Sequence, residues 1–301
     1  MLLLALQTVW TGCPDRQRTA ADARPRPDSA PAGPPARSGP RHWFYPSARV
    51  ALAAIIKRSR PQVIGIGELH HKTDSAPVDS ALSRFTREML DELSGRASDL
   101  VVETWVTEGR CGKQEKQVAR KVEQSTKRPA ETENEVVRLL ERAKALRIRP
   151  HILTVTCREY EQLLDAKRGN QLDFEKLLDL ITRHLHDKTA QLLAVRAKKA
   201  RSPLVAVYGG ALHNDLFPVD ELKMFSYGLA LQKATRGRYV ELDLYVPELV
   251  ERDEQLKKQA FFPLMGRLGK GQVLLVRRGE GSYILVLRRG LRTRGGGGKT
   301  Q

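Results

Sequence analysis

The hydrophobic and polar positions fall into two alternating registers over most of the chain. Gln62-Val63-Ile64-Gly65-Ile66-Gly67 is a short apolar run that predicts a buried strand. Leu100-Val101-Val102-Glu103-Thr104-Trp105, His151 to Val155, Pro203 to Tyr208 and Arg238 to Tyr245 read the same way. Helical spacing fills the gaps. Residues 47–59 place Val50, Ala54 and Ile55 on one side, and Pro61 stops that helix. Residues 76–94 align Leu82, Phe85, Met89, Leu90 and Leu93. Helices are also predicted over 131–146, 171–199 and around 219–233. The polar, basic stretch 106–131 carries no clear period. Gln272 to Arg277 and Ser282 to Arg288 read as a hairpin closed around Gly279-Glu280-Gly281.

Strands alternating with helices predict an α/β fold: a mainly parallel sheet with helices on both faces. Near-continuously apolar strands agree, because such strands are buried on both sides. The C-terminal hairpin would add antiparallel strands at an edge. One such domain would span residues 42–290.

The ends of the chain differ in composition. Residues 2–9 form a short apolar run that stops at Trp10-Thr11-Gly12-Cys13. Small residues before a cysteine resemble a bacterial lipobox. That resemblance implies a signal over residues 1–13, a lipidated Cys13 and an address in the bacterial cell envelope, periplasmic or on the outer surface. The match is imperfect: Trp10 stands where an aliphatic residue is usual, and no Lys or Arg precedes the apolar run. Residues 14–41, rich in Pro, Ala and Arg, cannot bury apolar surface and suit a disordered tether from a membrane anchor. Residues 291–301, with four consecutive glycines, read as a loose basic tail.

The net charge of +17 raises the question of nucleic acid. Neither basic-aromatic interleaving nor zinc-finger spacing occurs, so nucleic acid is not the expected partner. A basic surface beside an anionic membrane accounts for the charge. The expected ligand is a small molecule or a peptide. Cys111 and Cys157 follow the second and third strands. They form a candidate disulfide if those strands are neighbours in an oxidising compartment.

The candidate chemistry sits at the strand exits. Glu68, His70 and His71 follow the first strand, Glu103 ends the second, and His213 and Asn214 follow the fourth. In an open parallel sheet all carboxyl ends share one edge, where ligands bind. Two carboxylates and two histidines suit a divalent metal (Mn, Co, Zn or Fe) held by Glu68, His70, Glu103 and His213. They also suit a metal-free histidine base acting on water. Asn214 could orient substrate or stabilise an oxyanion. Trp105 and Tyr208 border the site, as pocket lining or as core. Glu241 and Asp243 share one face of the fifth strand, which reads as a solvated or edge face. His151, His184 and His186 read as structural or surface residues.

Gly67-Glu68-Leu69-His70 and Gly210-Ala211-Leu212-His213 resemble the paired Gly-x-x-His motifs of the Tiki/TraB proteins. The run from Ile64 to His70, followed by a helix and Val101-Val102-Glu103, is similar to the ChaN-like haem-uptake lipoproteins. The erythromycin-esterase-like branch of that superfamily also has an early Gly-Glu…His and a later His. These resemblances imply different activities: a metal-dependent protease, haem binding without turnover, or a histidine base acting on a lactone. His70 has the Tiki and ChaN spacing from Glu68, and His71 has the esterase spacing. The lipobox and tether bring the ChaN-like comparison closest, with haem as the alternative cofactor. A purely structural lipoprotein with a relic site is the third reading.

Overall fold

The structure is a computed structural model that describes residues 2–3, 41–109, 111–165, 169, 171–197 and 203–290. Cys13, most of the proposed signal, residues 14–40 of the proposed tether and the tail 291–301 lie outside the described residues.

Among the described residues the elements follow in order: β1 (Leu2–Leu3), β2 (His42–Tyr45), α1 (Ala48–Ser59), β3 (Val63–Glu68), α2 (Ala81–Glu88), β4 (Ala97–Glu108), α3 (Gly112–Thr126), α4 (Glu131–Ala145), β5 (Arg149–Thr156), α5 (Cys157–Gln162), β6 (Leu164–Asp165), β7 (Gln171–Leu172), α6 (Phe174–Ala197), β8 (Leu204–Gly210), α7 (Ala211–Asn214), α8 (Gly228–Ala234), β9 (Tyr239–Tyr245), α9 (Pro247–Val250), α10 (Phe262–Met265), β10 (Val273–Gly279) and β11 (Ser282–Val286).

Nine of the strands form one sheet. Strands β5-β4-β8-β3-β9-β11 run parallel to their neighbours. β10 then pairs antiparallel with β11, and β2 pairs antiparallel with β10 as the outermost strand on that side. The C-terminal hairpin therefore extends a parallel sheet. Leu2–Leu3 lies antiparallel beside Trp105 and Thr104, and β6 and β7 form a separate two-stranded ribbon.

Alternate residues of each central strand feed two cores, the cause of their unbroken apolar character. On one face Ile64, Ile66, Ala206, Val240 and Leu242 pack against Leu52 and Ile55 of α1, Phe85 of α2 and Leu139 of α4. On the other face Val63, Val205, Val207 and Tyr239 pack against Val118 and Val122 of α3 and Leu177, Ile181 and Leu185 of α6.

Local chemistry sets the helix ends. The Ser47 hydroxyl accepts from Val50 N at the start of α1, and Arg60 in the left-handed region closes it before Pro61. Ser80 caps α2 in the same way. Thr156 and Glu159 form a capping box on α5.

Several elements differ from the sequence expectation. The buried stripe of α1 is Ala48, Ala51, Leu52 and Ile55, and Val50 faces out. The segment expected as one helix over 76–94 is α2 followed by a 3-10 turn at Leu90–Leu93. The helix expected around 219–233 is likewise a 3-10 turn, Asp220–Phe225, followed by α8. Residues 106–131, without a clear period in sequence, carry the end of β4, then α3 and the turn into α4. Cys111 and Cys157 are joined as a disulfide with Cα atoms 5.1 Å apart, clipping the start of α3 to the first residue of α5. Among the described residues no helix is long and apolar enough to cross a membrane.

Candidate active site

The chain order explains how distant residues meet. β8 is inserted between β3 and β4, so its exit at Gly209–Gly210 lies between Glu68 on one side and Glu103 on the other. The register of β4 against β5 slips between Val102 and Trp105. A bulge of this kind re-aims a side chain, and it falls at Glu103. α7 leaves β8 at once and brings His213 back over the sheet edge.

Glu68, His70, Glu103, His213 and Asn214 are all buried, none more than 5% exposed. Glu68 stands behind His70. Its Oε1 is 2.7 Å from His70 Nδ1, and its Oε2 accepts from the Tyr208 hydroxyl at 2.7 Å. Arg128 Nη2 lies 2.5 Å from the same His70 nitrogen, and Arg128 Nη1 is 3.5 Å from Glu68 Oε1. Burial alone would raise the Glu68 carboxyl, but its hydrogen bond to His70, the neighbouring charges and the Tyr208 hydroxyl hold it below the usual range. Burial, with Arg128 next in size, pushes the His70 imidazolium down. With His70 neutral, Arg128 supplies the charge that keeps Glu68 ionised. With its proton on Nδ1 and donated to the ionised Glu68, His70 keeps a lone pair on Nε2, and Arg128, which can only donate, serves the Glu68 carboxylate and not that ring nitrogen.

His213 is fixed in the same tautomer by different partners. Its Nδ1 is 3.1 Å from the carbonyl of Phe225, which can only accept, and 2.8 Å from Thr182 Oγ1. Burial depresses this ring to about 4 against the pull of that carbonyl. His213 Nε2 is buried with no hydrogen-bond partner.

Glu103 lies between the two rings. Its Oε2 accepts from Gly210 N at 2.5 Å. Its Oε1 has no hydrogen-bond partner and stands 4.0 Å from His70 Nε2 and 3.9 Å from His213 Nε2. Burial raises its carboxyl above the ordinary value. Two imidazole nitrogens and one carboxyl oxygen thus face a common gap.

Other expected site residues are placed elsewhere. Glu68 has both oxygens engaged and does not face the gap as a ligand would. The Asn214 amide donates to Gly65 O and Asp243 Oδ1 and secures α7 on β3, so it is not free to bind an oxyanion. His71 is only half-buried and its Nδ1 bonds to none of the cluster. Trp105 lies in the core, donating to the Tyr160 hydroxyl on the α6 side. Tyr208 does border the cluster. His151 pairs with Asp99, His184 with Glu159 and His186 with Asp187, all outside the site.

Glu241 and Asp243 correct the expectation of a solvated face. Both are buried, at 0% and 2% exposure. Arg278 from β10 bridges Glu241 and Asp215, and Glu241 also accepts from Leu216 N. Burial and mutual repulsion raise Glu241, and burial raises Asp243 to about 6. This network holds the chain just after His213.

Arg128, Thr182 and the Phe225 carbonyl were not legible as site groups. Arg128 lies in the aperiodic stretch, and the other two act on His213 only after folding. A cavity of about 190 Å³ adjoins His70, bordered by Leu69, Lys72, Asp74, Ser75, Leu249 and Arg252.

The donor chemistry of the gap suits a divalent metal, but the spacing does not. A metal about 2.1 Å from two atoms 4.0 Å apart must subtend about 145° at them. A water with hydrogen bonds of about 2.8 Å to both subtends about 90°. Among the described residues no three His, Cys, Asp or Glu side chains are set to hold a metal ion. The chain matches no family model, no curated protein and no solved structure.

Proposed function

We propose that this chain is a hydrolase of ester or peptide bonds that activates a water between His70, Glu103 and His213. The observation that carries this reading is the convergence of two imidazole nitrogens and a carboxyl oxygen on one gap, two of the three atoms buried without partners. A buried acceptor left unsatisfied costs roughly 1–3 kcal/mol, so a donor belongs in the gap.

His70 is the base. The Glu68 carboxylate on its Nδ1 stabilises the imidazolium that forms when Nε2 takes a proton. His213, held by a carbonyl and a hydroxyl, lacks such support and orients the water as an acceptor. As the O–H bond of water breaks, its oxygen attacks the substrate carbonyl carbon and the proton passes to His70 Nε2. The proton then goes to the leaving oxygen or nitrogen as that bond breaks. Glu103, with its raised carboxyl, carries a proton more readily than an exposed glutamate and can donate it to the developing oxyanion.

A metal-assisted variant is favoured by one observation, the convergence of two imidazole nitrogens and a carboxyl oxygen, all metal-ligating atom types, on one gap. A divalent ion there would polarise the carbonyl and acidify water. It would require the three side chains to close up. Haem, the alternative ligand, finds less support, because the cavity of about 190 Å³ beside His70 is too small to enclose so large a planar group.

The proposed setting is the bacterial envelope, with a lipid on Cys13. The Cys111–Cys157 disulfide supports an oxidising compartment. The Gly-x-x-His spacing supports kinship with the Tiki, ChaN-like and erythromycin-esterase-like proteins.

Hydrolysis of p-nitrophenyl esters and of fluorogenic casein by the wild type, His70→Ala and His213→Ala tests the function. Turnover lost about 100-fold or more in both variants, with unchanged circular dichroism, is expected. Equal rates in all three proteins would refute it.

A further inference from the structure

A cleft of about 900 Å³ lies away from the catalytic cluster on the same edge of the sheet. Its walls come from Pro77–Asp79 before α2, from α2 itself, from the loop Leu268–Gln272 that leads into β10, and from Arg288–Gly290 after β11. β11 runs parallel to β9 and β9 to β3, so these segments gather at the carboxyl ends of the strands. That is the edge where open α/β sheets take ligands.

The lining is strongly cationic. Arg84, Arg87, Lys270, Arg288 and Arg289 outnumber the two lining acids, Asp79 and Glu88, while Glu248 stands 3.8 Å from Arg84 Nη2 and Glu251 pairs with Arg289. The exposed arginines are paired on the surface: Arg87 with Asp79 and Glu88, Arg288 with Glu88, and Arg289 with Glu251. These three side chains are about half exposed. Exposed pairs of this kind are weak and exchange readily for a stronger anion.

The cleft is also built. Arg84 is buried, and it reaches both walls at once. Its Nε donates to Asp79 O at 3.2 Å and its Nη1 to Arg288 O at 2.5 Å. It thereby fixes two segments from opposite ends of the fold. Gly290 N donates to Glu248 Oε1 and secures the same wall. The floor includes Pro77, Val78 and Leu268, which offers apolar contact beside the cations.

We propose that this cleft binds a phosphate-class anion, with Arg87, Arg289 and Lys270 as its recognition groups. More than one guanidinium with an ammonium matches a multiply charged oxyanion better than a single carboxylate. The anion is either a free phosphate compound or a lipid headgroup. The proposal does not depend on the hydrolase reading.

Calorimetric titration of the full chain with inorganic pyrophosphate, and co-sedimentation with phosphatidylglycerol or phosphatidylcholine vesicles, test it. The variant R87Q/K270Q/R289Q is compared with K116Q/K233Q/R238Q, which removes the same charge elsewhere on the surface. The expected result is saturable binding, weakened about ten-fold or more in the cleft variant and unchanged in the control. Pyrophosphate binding lost in this way assigns a soluble anion. Binding to phosphatidylglycerol vesicles alone, lost in the same way, assigns a headgroup. No binding to either probe, or equal weakening in both variants, overturns the proposal.

Discussion

His213 Nε2 and Glu103 Oε1 stand 3.9 Å apart, each buried and neither with a hydrogen-bond partner. The separation is too wide for a direct bond. Both atoms belong to side chains whose other polar atom is firmly held, by Phe225 O and Thr182 in one case and Gly210 N in the other. The gap is therefore a property of the scaffold: neither side chain can close it without giving up the bond behind it.

The held tautomer of His213 has a consequence for stability. The ring titrates near 4 in the fold, against 6.5 in an unfolded chain. The unfolded state then binds more protons between these values. This contribution to stability is fully present above about 6.5 and is lost as the pH falls towards 4, by about 3 kcal/mol in total. Urea unfolding at pH 7 and pH 4.5 should show the loss in the wild type and a smaller one in His213→Gln. An equal loss in both would place the acid sensitivity elsewhere.

Glu68→Gln tests how His70 is oriented. The amide can still accept from His70 Nδ1, but it no longer stabilises an imidazolium. Turnover should fall about 100-fold with little change in KM. The acid limb of the pH-rate profile should move to lower pH, because the ring loses its anionic partner. An unmoved limb would mean that His70 is not the base.

Gly209 leaves room for Glu103. A Cβ there would stand 2.9 Å from Glu103 Cβ, which lies close to the backbone and cannot swing aside. Gly209→Ala should cost about 1–3 kcal/mol by overpacking and displace the carboxylate from the gap. Thermal melts and turnover together check this. A variant as stable and as active as the wild type would show that Glu103 is not held against β8.

The strands and the exits that carry the cluster are legible in the chain because the sheet is buried on both sides. The apolar runs around Ile64, Val101 and Val205 can lie only in such a sheet, and the polar residues that end them must share its edge. The roles within the cluster are not legible. Glu68 and Glu103 look alike in sequence, yet one is enclosed by Tyr208, His70 and Arg128 and the other faces the gap. That difference arises from a bulge in β4 and from a partner on an aperiodic segment. Glu241 and Asp243 read as solvated because alternating carboxylates normally are. Their burial depends on Arg278, brought alongside by the hairpin, and no local pattern announces that contact.

A crystal structure at high resolution, collected with anomalous data, examines the gap itself. The account predicts a single water about 2.6–3.0 Å from His70 Nε2, His213 Nε2 and Glu103 Oε1, with no anomalous signal. A peak about 2.1 Å from these atoms with anomalous scattering, or side chains closed onto one another with nothing between them, would contradict it.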